Sequence, residues 1–113
     1  MPPSKQKTKA SQARLEELIA EANVDCYDEY EQHIGLRVAV TDNVQCPFTA
    51  QVIGEKVEVL KLTDDGEAII ATCRKVNTKR TYTIEIMSLD FTENLPKGYE
   101  WIKAYREWLK HNH

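Results

Sequence analysis

The chain has 113 residues, of which 42% are hydrophobic and 29% charged, and a formal net charge of −3. That length allows one domain with a core of its own, and that composition is typical of a soluble globular protein, which excludes a fibrous or disordered chain. No run approaches the roughly 18 apolar residues of a membrane helix, and MPPSKQKTKASQ lacks the apolar stretch of a secretory signal. Neither a membrane partner nor export is expected. Cys26, Cys46 and Cys73 are odd in number and match no metal-ligand spacing, so reduced thiols and a cytoplasmic location are expected.

The charge is spread unevenly. Lys5, Lys7, Lys9 and Arg14 stand near the start with no acid among them. Residues 15–36 then carry Glu16, Glu17, Glu21, Asp25, Asp28, Glu29 and Glu31 without a Lys or Arg, a local charge of −7. Such a stretch repels nucleic acid and attracts cations or basic partners.

In chain order, residues 1–9 read as a disordered basic tail, and residues 10–113 as a single domain. ASQARLEELIAEAN places Leu15, Leu18, Ile19 and Ala22 at helical spacing, with Ser11 as N-cap. VDCYDEYEQHIG reads as a second, short helix, capped by Asp25 and stopped by Gly35. On a helical wheel Asp25, Asp28, Glu29 and Gln32 share one side, and Cys26, Tyr27, Tyr30 and Ile34 the other. LRVAVT alternates as a strand and runs into a DNV turn containing Asp42 and Asn43. FTAQVI and EKVEVLKL follow as strands separated by Gly54-Glu55. Asp65-Gly66 signals a hairpin into AIIATCRKV, and a basic NTKR turn leads to TYTIEIMSL. About five short antiparallel strands suggest a small SH3-like β-barrel. The final segment sets Trp101, Ile102, Tyr105, Trp108 and Leu109 on one stripe, a C-terminal helix packed on that barrel. The expected class is α+β, a small antiparallel barrel flanked by N-terminal helices and a C-terminal helix.

The residues offer little to catalysis. With only four glycines there is no phosphate-binding loop, and no G-x-S-x-G elbow is present. A thiol nucleophile built from Cys26 or Cys46 with His33 would need a thiolate, which the acids around Cys26 and His33 disfavour. Calcium suits the acidic segment better, because Ca²⁺ takes six to eight oxygen ligands in flexible geometry. Asp64-Asp65-Gly66 lacks the ligand spacing of an EF-hand, so any site is of another kind. The acidic helix would supply part of it, and Asp42 and Asn43 of the DNV turn the rest. Acids in a first helical turn are equally what capping and the macrodipole favour. The residues alone therefore leave a solvated acidic face and a calcium site both open.

VDCYDEYEQHIGLRVAVTDNVQCPFTAQVI with GEKVEVLKL resembles the cyanobacterial calcium-binding (CcbP-like) family. The likeness rests on Val24, Asp25, Tyr27, Glu31, Gln32, Gly35, Asp42, Asn43, Pro47, Phe48 and Ala50, continued by Gly54, Val57, Glu58, Val59 and Leu60. It is good over residues 22–62 and holds only in outline beyond. The resemblance implies a non-EF-hand Ca²⁺ buffer or sensor with Asp42 as central ligand and Asp25, Asp28, Glu29 and Glu31 supplying the rest. Tyr30 and Thr41 depart from the pattern, which places acids there. The rival reading is an SH3-like protein-interaction module with a solvated acidic helix and no metal. A nucleic-acid module comes third, on Arg74, Lys75, Lys79 and Arg80 around the second hairpin turn.

Overall fold

The computed structural model describes residues 3–92 and 94–112, with side chains described from Gln12 onward. Two helices, α1 (Pro3–Ala22) and α2 (Glu29–Asn43), precede four strands, β1 (Phe48–Val52), β2 (Glu55–Asp64), β3 (Ile69–Lys75) and β4 (Thr81–Glu85). A 3₁₀ turn (Ile86–Ser88) and helix α3 (Tyr99–His111) complete the chain. The expected tail overlaps the start of α1, and Ser11 lies inside that helix instead of capping it.

The largest departure from expectation is α2. The segment 36–41 is not a strand but the second half of this 15-residue helix. In so short a run LRVAVT satisfies both periods, and what decides is the neighbouring residues. Leu36, Val40 and Val44, spaced four apart, are buried in the core, whereas Val38, which a strand would bury beside them, is exposed. Gly35 accordingly does not stop a helix. A Cβ there would come within 2.6 Å of the Ala22 carbonyl oxygen, so glycine is what lets the end of α1 cross α2. The cap is Asp28, whose carboxylate accepts from the Glu31 N–H at 2.8 Å. Asp25 instead sits in the connecting loop with φ 66.

The strands form a four-stranded antiparallel sheet in the order β1-β2-β3-β4, one strand fewer than expected because residues 36–41 are helical. Ile53 and Gly54, at φ 49 and 76, make the two-residue turn between Val52 and Glu55, as a primed hairpin turn requires. The Asp65-Gly66 hairpin and the turn before β4 fall where expected. Among the named strands β1 and β4 are the edges, and the sheet is open. Past the 3₁₀ turn the chain returns to β1, where Gln51 and Asp90 exchange backbone hydrogen bonds of 2.9 and 2.8 Å.

One sheet face carries Val57, Val59, Ile69, Ala71 and Cys73, all buried against α2 and α3. From α3 come Ile102, Tyr105, Trp108 and Leu109, as its apolar stripe foretold. Helix α1 closes the other side of α3 through Leu15, Leu18 and Ala104. Arg14 and Glu100 pair at 2.9 Å over that seam. No helix is long and apolar enough to cross a membrane among the described residues.

Candidate metal centre

The acidic segment folds as a loop followed by one helical turn. The Cys26 N–H donates to the Asn23 carbonyl at 2.9 Å, which turns the chain out of α1. Asp25 is on this loop, Asp28 caps α2, and Glu29 and Glu31 occupy its first turn, where the helix dipole favours negative charge. All four are exposed. Among the described residues none of them makes an ion pair, so their charge is uncompensated by the protein itself.

Asp42 and Asn43 are the last two residues of α2 and do not form a separate turn. Glu31 and Asp42 are eleven positions apart on one continuous helix, about 17 Å along its axis at 1.5 Å per residue. Calcium–oxygen bonds are about 2.3–2.6 Å. One ion therefore cannot touch both ends of α2 while that helix is intact. The structure brings Asp28, Glu29 and Glu31 onto one turn with Asp25 just ahead, and leaves Asp42 apart. Among the described residues, no group of three or more His, Cys, Asp or Glu side chains converges as metal ligands would. The donors are hard carboxylate oxygens of the kind calcium prefers, but their placement is open and solvated.

The far end of α2 has its own cation-favouring features. Its last turn contains no basic residue, and helix C-termini carry partial negative charge. Asn43 donates its amide N–H to the Ala39 carbonyl at 2.8 Å, which turns its amide nitrogen inward. Thr41, standing where the family pattern has an acid, turns its hydroxyl onto the Arg37 and Val38 carbonyls at 3.1 Å. Gly98 (φ 90) abuts the Asn43 carbonyl so closely that a Cβ would lie 2.1 Å from its oxygen. That contact and the Gln45 N–H to Lys97 carbonyl bond of 3.0 Å pin this end of α2 to the approach of α3.

The wheel assignment of α2 needs correction. Gln32 faces inward, accepting from the Trp108 indole N–H at 3.2 Å, while Tyr27 and Tyr30 point to solvent. His33 lies 3.0 Å from the Tyr105 hydroxyl and stacks on Tyr105 and Trp108. Burial pushes the Tyr105 phenol up to about 12, with Arg37 pulling it the other way. The sulfur of Cys26 faces the Ala22 carbonyl, and the thiols of Cys46 and Cys73 are raised by burial. These contacts arm no thiolate.

The β2–β3 turn has a structural use that local patterning barely announces. Arg37 is buried, and its guanidinium bonds Asp64 at 2.9 Å and the Gly66 and Glu67 carbonyls at 3.2 and 3.4 Å. Asp65 accepts from the amides of Ala68 and Glu67, which hold its carboxyl below the usual range. A basic residue inside an apolar helical stripe, with an acidic turn elsewhere, was the available clue. The turn's acids thus serve the fold. The basic hairpin is similarly engaged, with Arg74 paired to Glu58 and Lys75 to Glu55.

Fold and site together define a small α+β protein with an uncompensated carboxylate surface at one end of a helix. The sequence profile of the CcbP family, described as calcium binding, matches residues 16–109. The chain belongs to this calcium-binding family, and the calcium ion is its ligand. Two solved structures share the fold at 19% identity and TM-score 0.66. One is a calcium-binding protein in its calcium-binding form, covering 93% of each chain, and the other is Anabaena CcbP, covering 89% of each. No curated protein matches the chain.

Proposed function

We propose that this protein binds Ca²⁺ reversibly as a non-catalytic buffer or sensor, through exposed carboxylates on and around α2. The observation that carries the reading is the family match over residues 16–109, which spans every candidate ligand. Asp25, Asp28, Glu29 and Glu31 form the first locus. Asp42, separated from them by the length of α2, forms a second with Asn43. Exposed and unconverged ligands imply that the ion draws the side chains together and that affinity is set by how far they must move. The Gln51–Asp90 bridge supports an SH3-like roll of the sheet, and the three free thiols support a cytoplasmic location. Residues 10–113 are taken as the functional unit.

The test is a calorimetric titration with Ca²⁺ and then Mg²⁺, paired with amide NMR. Shifts are expected at residues 25–31 and around Asp42. Asp42→Ala should remove the second set and leave the first. A spectrum unmoved by millimolar Ca²⁺ would sink the proposal.

A further inference from the structure

Eight large hydrophobic side chains are exposed among the described residues, and four of them, Val24, Tyr27, Tyr30 and Val38, lie on α2 or the loop before it. The other four, Ile53, Val76, Met87 and Leu95, are scattered outside the helices, in turns and loops or the 3₁₀ turn. Tyr30, half-buried Ile34 and Val38 are spaced four apart and so form one stripe along the outer side of α2. Val24 and Tyr27, 67% and 85% exposed, lie in the loop immediately before it. Scattered exposed apolar groups are ordinary, whereas a contiguous set on one helix face marks a contact surface.

The charges around the stripe say what would cover it. Asp25, Asp28, Glu29 and Glu31 flank its beginning, and Asp42 stands one turn beyond Val38. The one cation of α2, Arg37, is buried and held by Asp64 and the turn carbonyls, so it offers nothing to this face. An acidic partner or an anionic lipid surface would meet repulsion at both ends. We propose that the outer face of α2 docks a basic amphipathic helix of a partner protein, with apolar residues on Tyr27, Tyr30, Ile34 and Val38 and Lys or Arg on the flanking carboxylates. This is recognition by an amphipathic helix whose register is set by charge. Its regulation rests on the calcium reading above. Ca²⁺ bound to the same carboxylates removes the partner's counter-charges and weakens docking.

The probe is a Leu/Lys amphipathic peptide of about 18 residues, long enough to match α2, with a Leu/Glu peptide of the same pattern as control. In EDTA, the Leu/Lys peptide should shift amides of residues 24–42, and the Leu/Glu peptide should not. Tyr27→Ser with Tyr30→Ser should weaken binding by about tenfold or more, as loss of interface tyrosines does, with helix content unchanged by circular dichroism. Shifts centred elsewhere, equal response to both peptides, or unchanged affinity of the double variant would overturn the docking surface. A dimer of the free chain, seen by sedimentation and dissolved by the same substitutions, would replace the partner with a second copy and overturn it too. Repeating the titration in saturating Ca²⁺ should weaken peptide binding several-fold, and unchanged binding would overturn the competition. Calorimetry with Ca²⁺ alone keeps the two readings apart, since absent heat defeats calcium binding while docking in EDTA stands or falls by itself.

Discussion

Two positions on α2 show how single residues set the fold. Gly35 is a poor helix former, and alanine would gain about 1 kcal/mol of propensity. Its Cβ would meet the Ala22 carbonyl oxygen at 2.6 Å, backbone that cannot step aside cheaply. Gly35→Ala is therefore expected to destabilise, by about 1–3 kcal/mol as overpacking does. A urea midpoint that rises in this variant would show that α1 does not hold the position the structure gives it. Arg37 poses the opposite problem, a charge already inside. Its partners are the partly exposed Asp64 and two carbonyls of the exposed β2–β3 turn, and Arg37→Ala removes all three bonds. A loss of about 1–3 kcal/mol is expected, since water can reach the acceptors left behind, and Arg37→Met should cost less because it refills the volume. Equal losses in the two variants would mean that the lost charge interactions, not packing, dominate there.

At the scale of elements, α2 and α3 are joined by aromatic contacts whose pH response has a defined sign. The Tyr105 phenol lies against His33 and is pushed from 10.0 up to about 12 by burial. A raised folded-state value favours the neutral form, so its contribution is complete below pH 10.0 and is lost as pH climbs towards 12. Tyr105→Phe should flatten that part of the alkaline stability profile, read from denaturant midpoints, and an unaltered slope would contradict the burial. Helix α2 itself is where local reading failed. LRVAVT is rich in β-branched residues and alternates cleanly, so its isolated preference is extended. The competing signal was Leu36, Val40 and Val44 spaced four apart, but Val44 lay within the assumed turn. By contrast α3, with its long apolar stripe, and the Asp65-Gly66 hairpin were legible, because their signals are local and unopposed.

For the whole molecule, calcium and folding are linked. An ion that binds the folded chain alone stabilises it by about 2.7 kcal/mol at a hundredfold excess over Kd. A rise in Tm with Ca²⁺ that saturates, and is smaller in Asp28→Asn with Glu31→Gln, is the expected outcome. No rise, with calorimetric binding intact, would mean that the ion binds the unfolded chain as well. High salt should mimic part of the stabilisation by screening repulsion within the acidic segment.

The sequence by itself determined the acidic segment, the α+β class, the hairpins, the C-terminal helix and the likeness to a calcium-binding family. Each depends on composition or on spacing within a few turns. Only the tertiary structure decided that residues 29–43 are one helix, that Tyr30 faces water, and that Asp42 stands about 17 Å from Glu31 along α2. The physical reason is that helix and strand were locally near balance in α2. Burial of Leu36 and Val40, close passage of α1 over Gly35, and the Arg37 ion pair tipped that balance. All three depend on partners far away in the chain.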